Sequence, residues 1–108
     1  MAHKKIEEVT DEFWENEILE ENRMFIDEYL GQQQRLSKQT IKQYRSGLRI
    51  FAKWVHEHFV PKGKMRIVKL KPRHAYQYQN WLGEIGLSPS AIKFKRSTVS
   101  SLCNYIEL

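Results

Sequence analysis

Apolar and polar positions along this chain recur at helical spacing over most of its length. The clearest stretch is 38–59, where Ile41, Tyr44, Leu48, Phe51, Val55 and Phe59 follow one another at three- and four-residue steps. Ser37 stands before it as an N-cap, and Pro61 and Gly63 end it. A first helix is predicted over 11–34, opened by Thr10 or Asp11, with acids crowding its first turns where the helix dipole favours them. Ile18 or Leu19, Phe25 or Ile26, and Tyr29 or Leu30 form its apolar face. A third helix is predicted over 72–85, with Pro72 in the first turn, Ala75, Tyr78, Leu82 and Ile85 as the stripe, and Gly86 as the stop. The fourth, over 89–107, starts at Ser88-Pro89 and buries Ile92, Val99, Leu102 and Ile106. Residues 62–71 read as a basic loop, in which Met65, Ile67 and Leu70 allow a short extended piece. The pattern therefore predicts an all-α fold, a compact bundle of four helices.

Composition narrows the class. A chain of 108 residues holds one domain and one modest core. Hydrophobic residues at 41% and charged residues at 29% are ordinary for a globular protein. No apolar run approaches the roughly 20 residues of a membrane span, and the N-terminus lacks the apolar core of a secretory signal. A cytoplasmic protein with no membrane partner is expected. Cys103 is the single cysteine, which excludes an internal disulfide or a multi-cysteine zinc site and suits a small buried hydrophobe. Residues 1–17 read as an N-terminal extension plus the start of the first helix, frayed over 1–10, and 18–108 as the domain proper.

Charge changes the picture more. The net +5 hides a −6 segment over 1–36, with ten acids against four bases. Residues 37–108 carry fourteen bases against three acids, +11. Such a segment calls for an anionic partner, most often nucleic acid. On the second helix Lys38, Lys42, Arg45, Arg49 and Lys53 share an arc of roughly 80°, centred roughly 110° from the apolar stripe. A solvated helix face ordinarily mixes signs, because unlike charges three or four residues apart stabilise it. Five cations without an acid oppose one another, and an external anion removes that opposition. The fourth helix opens with Ser88, Ser90, Lys93, Lys95, Arg96 and Ser97, a helix N-terminus with hydroxyls and cations suited to phosphate. Lys95 falls where a core residue is expected and Phe94 where solvent is, so this end is expected to project from the bundle. The connector adds Lys62, Lys64, Arg66, Lys69, Lys71 and Arg73.

Catalytic chemistry finds little material. His56 and His58 are two apart on a helix and diverge, and His3 is remote, so no metal site is expected. No glycine-rich phosphate loop is present and no cofactor is implied. Tyr29, Tyr44, Tyr78 and Tyr105 lie on or beside apolar stripes and read as packing residues, and Tyr76 has only His74 and basic neighbours. Acid pairs are confined to the first helix, where exposure leaves them untuned.

The run Leu36-Ser37-Lys38-Gln39-Thr40-Ile41-Lys42-Gln43-Tyr44, followed by Leu48, Phe51 and Trp54, resembles the second helix of the core-binding domain of phage integrases and other tyrosine site-specific recombinases. Leu87-Ser88-Pro89-Ser90-Ala91-Ile92, then Val99-Ser100-Ser101-Leu102 and Tyr105-Ile106, resembles that family's fourth helix, and Phe25, Tyr29 and Leu30 fit its first. Ala91 stands where the pattern has threonine, and the connector is longer and more basic than the pattern asks. The resemblance covers roughly 18–107. It implies a SAM-like bundle of four or five helices that lies on one face of duplex DNA while a separate catalytic domain, following residue 108 in the parent chain, closes on the other. It also implies neighbouring recombinase subunits as partners on DNA. Carried over, Lys38, Gln39, Lys42, Gln43, Arg45 and Arg49 match the groove and backbone side of the second helix, and Ser90, Lys93, Lys95 and Arg96 the leading end of the fourth. This chain is then expected to bind DNA and to cut nothing alone. Contact with four to eight phosphates predicts a log–log salt slope of about −4 to −7. Two other readings stay open: a stand-alone helical regulator binding as a dimer, and a protein-interaction module that docks through the acidic first helix.

Overall fold

The computed structural model describes residues 6–106, which form five α-helices and one 3₁₀ turn, with no strand among the described residues. The helices are α1 Asp11–Asn16, α2 Glu20–Gly31, α3 Lys38–His58, α4 Pro72–Glu84 and α5 Pro89–Ile106. His3 and Glu107, the latter within the predicted fourth helix, lie outside the described residues. Three predicted caps are made: Thr10 Oγ1 accepts from Phe13 N–H at 3.0 Å, Ser37 Oγ from Thr40 N–H at 3.1 Å and Ser88 Oγ from Ala91 N–H at 3.3 Å. These satisfy donors that a helix start leaves without partners. At the end of α4, Gly86 takes φ 91°, and Leu87 N–H reaches back to Leu82 O at 3.3 Å. That left-handed turn is cheap only for glycine.

The predicted helix over 11–34 is instead two helices. It breaks at Glu17–Leu19, where Leu19 is extended with ψ 128°. No glycine or proline marks the break, and α2 starts on Leu19 without a side-chain cap. Tertiary packing makes the turn: Trp14 lies on α3, and Ile18 enters the core, before α2 leaves in a new direction to bury Ile26, Tyr29 and Leu30. The helix also ends earlier than predicted, at Gly31, where Gln32 and Gln33 N–H turn back to Tyr29 and Leu30 carbonyls.

The connector is more ordered than a loop. Ile67–Lys69 form a 3₁₀ turn whose Ile67 is fully buried. Asn22, buried on α2, holds it from both sides: its Nδ2 donates to Met65 O at 2.9 Å and its Oδ1 accepts from Ile67 N–H at 2.8 Å. Arg66 grips Glu21 with two bonds of 2.6 and 2.5 Å. The core gathers Leu48, Phe51 and Val55 of α3, Tyr78 and Leu82 of α4 and Val99 and Leu102 of α5, with Phe51 and Tyr78 rings meeting edge-on at 5.0 Å. Cys103 is half-buried against this cluster. The leading end of α5 does not project as expected. Ala91 and Ile92 pack against the core, Phe94 meets Tyr44 of α3 at 5.9 Å, and Arg96 lies 4.9 Å over the Tyr76 ring of α4. Ile106 is only half-buried, so the lower stripe of α5 is carried by Thr98, Val99 and Leu102.

Candidate nucleic-acid interface

Two helices build the cationic surface. α3 bears no acid before Glu57, and α5 bears none among its described residues. Their leading halves are joined through Tyr44 and Phe94, which brings Gln43 of α3 beside Ser90, Ala91 and Lys95 of α5, while Lys93 and Arg96 line a neighbouring groove with Gln79 of α4. On α3, Lys38, Gln39, Lys42, Gln43 and Arg45 are exposed, and on α5 Ser90 and Lys93 are exposed. A depression of about 360 Å³ between the helices is lined by Gln43, Ser90, Ala91, Phe94 and Lys95.

The rest of the predicted set is engaged within the fold. Arg49 donates to Asp11 Oδ1 at 2.7 Å while its guanidinium lies 5.0 Å over the Trp14 ring. Lys53 Nζ lies 5.0 Å over the Phe13 ring. Each is a cation–π contact, and both aromatic rings belong to α1. Glu8 faces Ser46 Oγ at 3.5 Å. Between these acids and the helix lies a cavity of about 350 Å³ lined by Glu8, Val9, Asp11, Lys42, Arg45, Ser46 and Arg49. The acidic N-terminal segment thus covers the distal half of the five-cation stripe and borders the proximal half. Lys95 is half-buried; burial lowers its pKa from the ordinary lysine value, and the charge of Glu8 works against that lowering. Arg96, also half-buried, is held on Tyr76.

Two residues outside the predicted set join the surface, Ser46 and Phe94. Ser46 carries no signal in the sequence. Phe94 does, as a large apolar side chain on the solvent side of its helix; its exposure is 39%. Of the connector cations, Arg66 is taken up by Glu21, and Lys69 adds to the charge that lowers the Glu21 pKa after the Arg66 bond itself. No group of three or more potential metal ligands occurs among the described residues. No helix among them is long and apolar enough to cross a membrane.

Comparison with known proteins agrees with this architecture. Residues 26–107 match the model of the phage integrase N-terminal SAM-like domain. The chain is also 42% identical over 103 residues to the SPbeta prophage-derived recombinase-like protein YomM of Bacillus subtilis (strain 168). That alignment covers 95% of this chain and 29% of the relative, so the chain spans under a third of the relative's length. No solved structure matches it significantly.

Proposed function

Because the chain belongs to the phage integrase N-terminal SAM-like domain family, we propose that it binds duplex DNA as the core-binding half of a recombinase clamp. The observation that carries this reading is that the adjoining leading halves of α3 and α5 carry exposed cations and no acid of their own. Lys38, Lys42, Arg45 and Lys93 supply phosphate contacts and hence most of the affinity. Gln39 and Gln43 reach base edges, where a carboxamide pairs with adenine N6 and N7. Ser90 and the first turn of α5 add hydroxyl and N–H donors for phosphate. The catalytic domain of the same parent chain and neighbouring recombinase subunits complete the assembly, which serves DNA integration and site-specific recombination. This chain by itself cleaves no DNA, and a covalent protein–DNA adduct in a nicking assay would overturn that part.

The test is an anisotropy titration of a labelled duplex with the wild type and with Lys42→Glu/Arg45→Glu. Each phosphate contact contributes about 0.9 of a decade per decade of salt, so losing two contacts weakens binding roughly 50-fold in 0.1 M salt. Unchanged affinity at preserved helicity removes this face from the interface. Light scattering separates the reading from a stand-alone regulator, which requires a dimer without DNA. Salt-sensitive self-association without nucleic acid would favour the protein-interaction reading.

A further inference from the structure

We propose that Phe94, with Ala91 beside it, reads the 5-methyl group of thymine in the major groove, so that this domain prefers A·T steps at the centre of its contact. The inference deepens the DNA-binding reading and rests on it. Phe94 is one of few large apolar side chains left exposed in the described chain, and it is the one that lines the depression between α3 and α5. Its ring is held in place. The Tyr44 ring meets it at 68° and 5.9 Å. Its neighbours in the depression are Gln43, Ser90 and Lys95, all polar, and the methyl of Ala91.

A fixed apolar patch ringed by polar groups fits a small apolar target set among polar ones. Among base edges in the major groove, only thymine offers one, its methyl, and alanine and phenylalanine are side chains that contact it. Gln43 lines the same depression, and its carboxamide suits adenine N6 and N7. Adjacent A and T bases therefore meet adjacent Gln and Phe side chains. Lys42 on α3 and Lys93 on α5 are exposed and supply positive charge for phosphates.

The experiment compares labelled duplexes of about two helical turns. One contains only A·T pairs in mixed order; the second replaces every thymidine by deoxyuridine, which removes the methyl and nothing else. The wild type should bind the thymidine duplex about fourfold more tightly or better, the ratio that burial of one carbon supplies. Phe94→Ala should bring the ratio to about one while affinity for the deoxyuridine duplex holds, and Phe94→Leu should keep most of it. Equal wild-type affinity for the two duplexes overturns the role of Phe94 and leaves DNA binding standing. That role falls equally if Phe94→Ala discriminates as well as the wild type. Absence of binding to either duplex at low salt overturns the DNA-binding reading itself. The wild-type comparison needs no variant, so a destabilised Phe94→Ala does not leave the question open.

Discussion

Replacing Asp11 by Asn should steepen the salt dependence of DNA binding. Counting every cation of the predicted stripe and of the α5 start gives eight contacts, hence a slope of about −7 at 0.9 per contact. The geometry reduces that number. Arg49 is bonded to Asp11 at 2.7 Å with a side chain only 21% exposed, Lys53 is held on Phe13 and Arg96 on Tyr76. The exposed Lys38, Lys42, Arg45 and Lys93, with a share from half-buried Lys95, leave a slope of about −4. Losing the Asp11 charge frees Arg49 to act on phosphate, so the slope should steepen by up to about 0.9 and affinity in 0.1 M salt should rise up to about eightfold. Glu12→Gln removes the same charge from the next residue, which is exposed, and controls for charge alone. Arg49→Ala in the wild-type background should leave the slope near −4, whereas Lys42→Ala should cost about 0.9. The assay is anisotropy over a series of salt concentrations. A wild-type slope near −7, or equal effects of Asp11→Asn and Glu12→Gln, would refute the claim that α1 withholds Arg49.

Three further outcomes concern stability. Asn22→Ala leaves Met65 O and the buried Ile67 N–H without partners, which should cost about 2–4 kcal/mol and lower Tm by roughly 10 °C or more in thermal unfolding; an unchanged Tm would mean that water replaces the amide. Gly86→Ala forces a Cβ onto a residue at φ 91° and should cost about 1–2 kcal/mol, so an unchanged urea midpoint would contradict the left-handed turn. His74 is buried, and desolvation, then the charge of Arg73, lowers its pKa below the ordinary 6.5. Its Nδ1 accepts from Lys71 N–H at 2.8 Å, so the native ring is neutral there. Since the unfolded chain takes up this proton first, the contribution of His74 is complete above about pH 6.5 and is lost as pH falls below it. The stability difference between wild type and His74→Gln should therefore shrink on going from neutral pH to about pH 5.5; a difference independent of pH would place His74 outside the titration.

Elements and caps are legible in the sequence because each local signal agrees with the tertiary demand. Ser37, Ser88 and Thr10 have side chains that can close a helix start, and Gly86 has the φ that a helix end requires. The break at Glu17–Leu19 lacks any such signal. Leu19 caps nothing, and the periodicity of Ile18, Phe25 and Tyr29 continues across the break as though the helix were whole. What bends the chain is the separate docking of Trp14 and Ile26, a choice made by the core and invisible in spacing. The connector hides its order in a similar way. A run of cations reads as solvated loop, yet Ile67 is the residue that matters, and its partner Asn22 stands 45 residues earlier.

The candidate site shows the same division more sharply. Within one helix, an acid-free stripe needs an external anion, because cations three and four residues apart repel. Helical spacing, however, is blind to charge brought from elsewhere in the chain. Asp11 and Glu8 stand 38 residues before Arg49 and Ser46, and the fold lays them on the distal half of the stripe. The −6 of residues 1–36 and the +11 of the remainder are therefore partly each other's counterion, and within the predicted stripe and the α5 start the charge free for a partner is the smaller set at the leading ends of α3 and α5. The anomaly of Phe94, apolar on the solvent side, survives folding: among the described residues its ring meets that of Tyr44, and the residue stays 39% exposed. A residue whose local character disagrees with its place in the bundle, and which the core does not absorb, is where sequence and structure together point outward to a ligand.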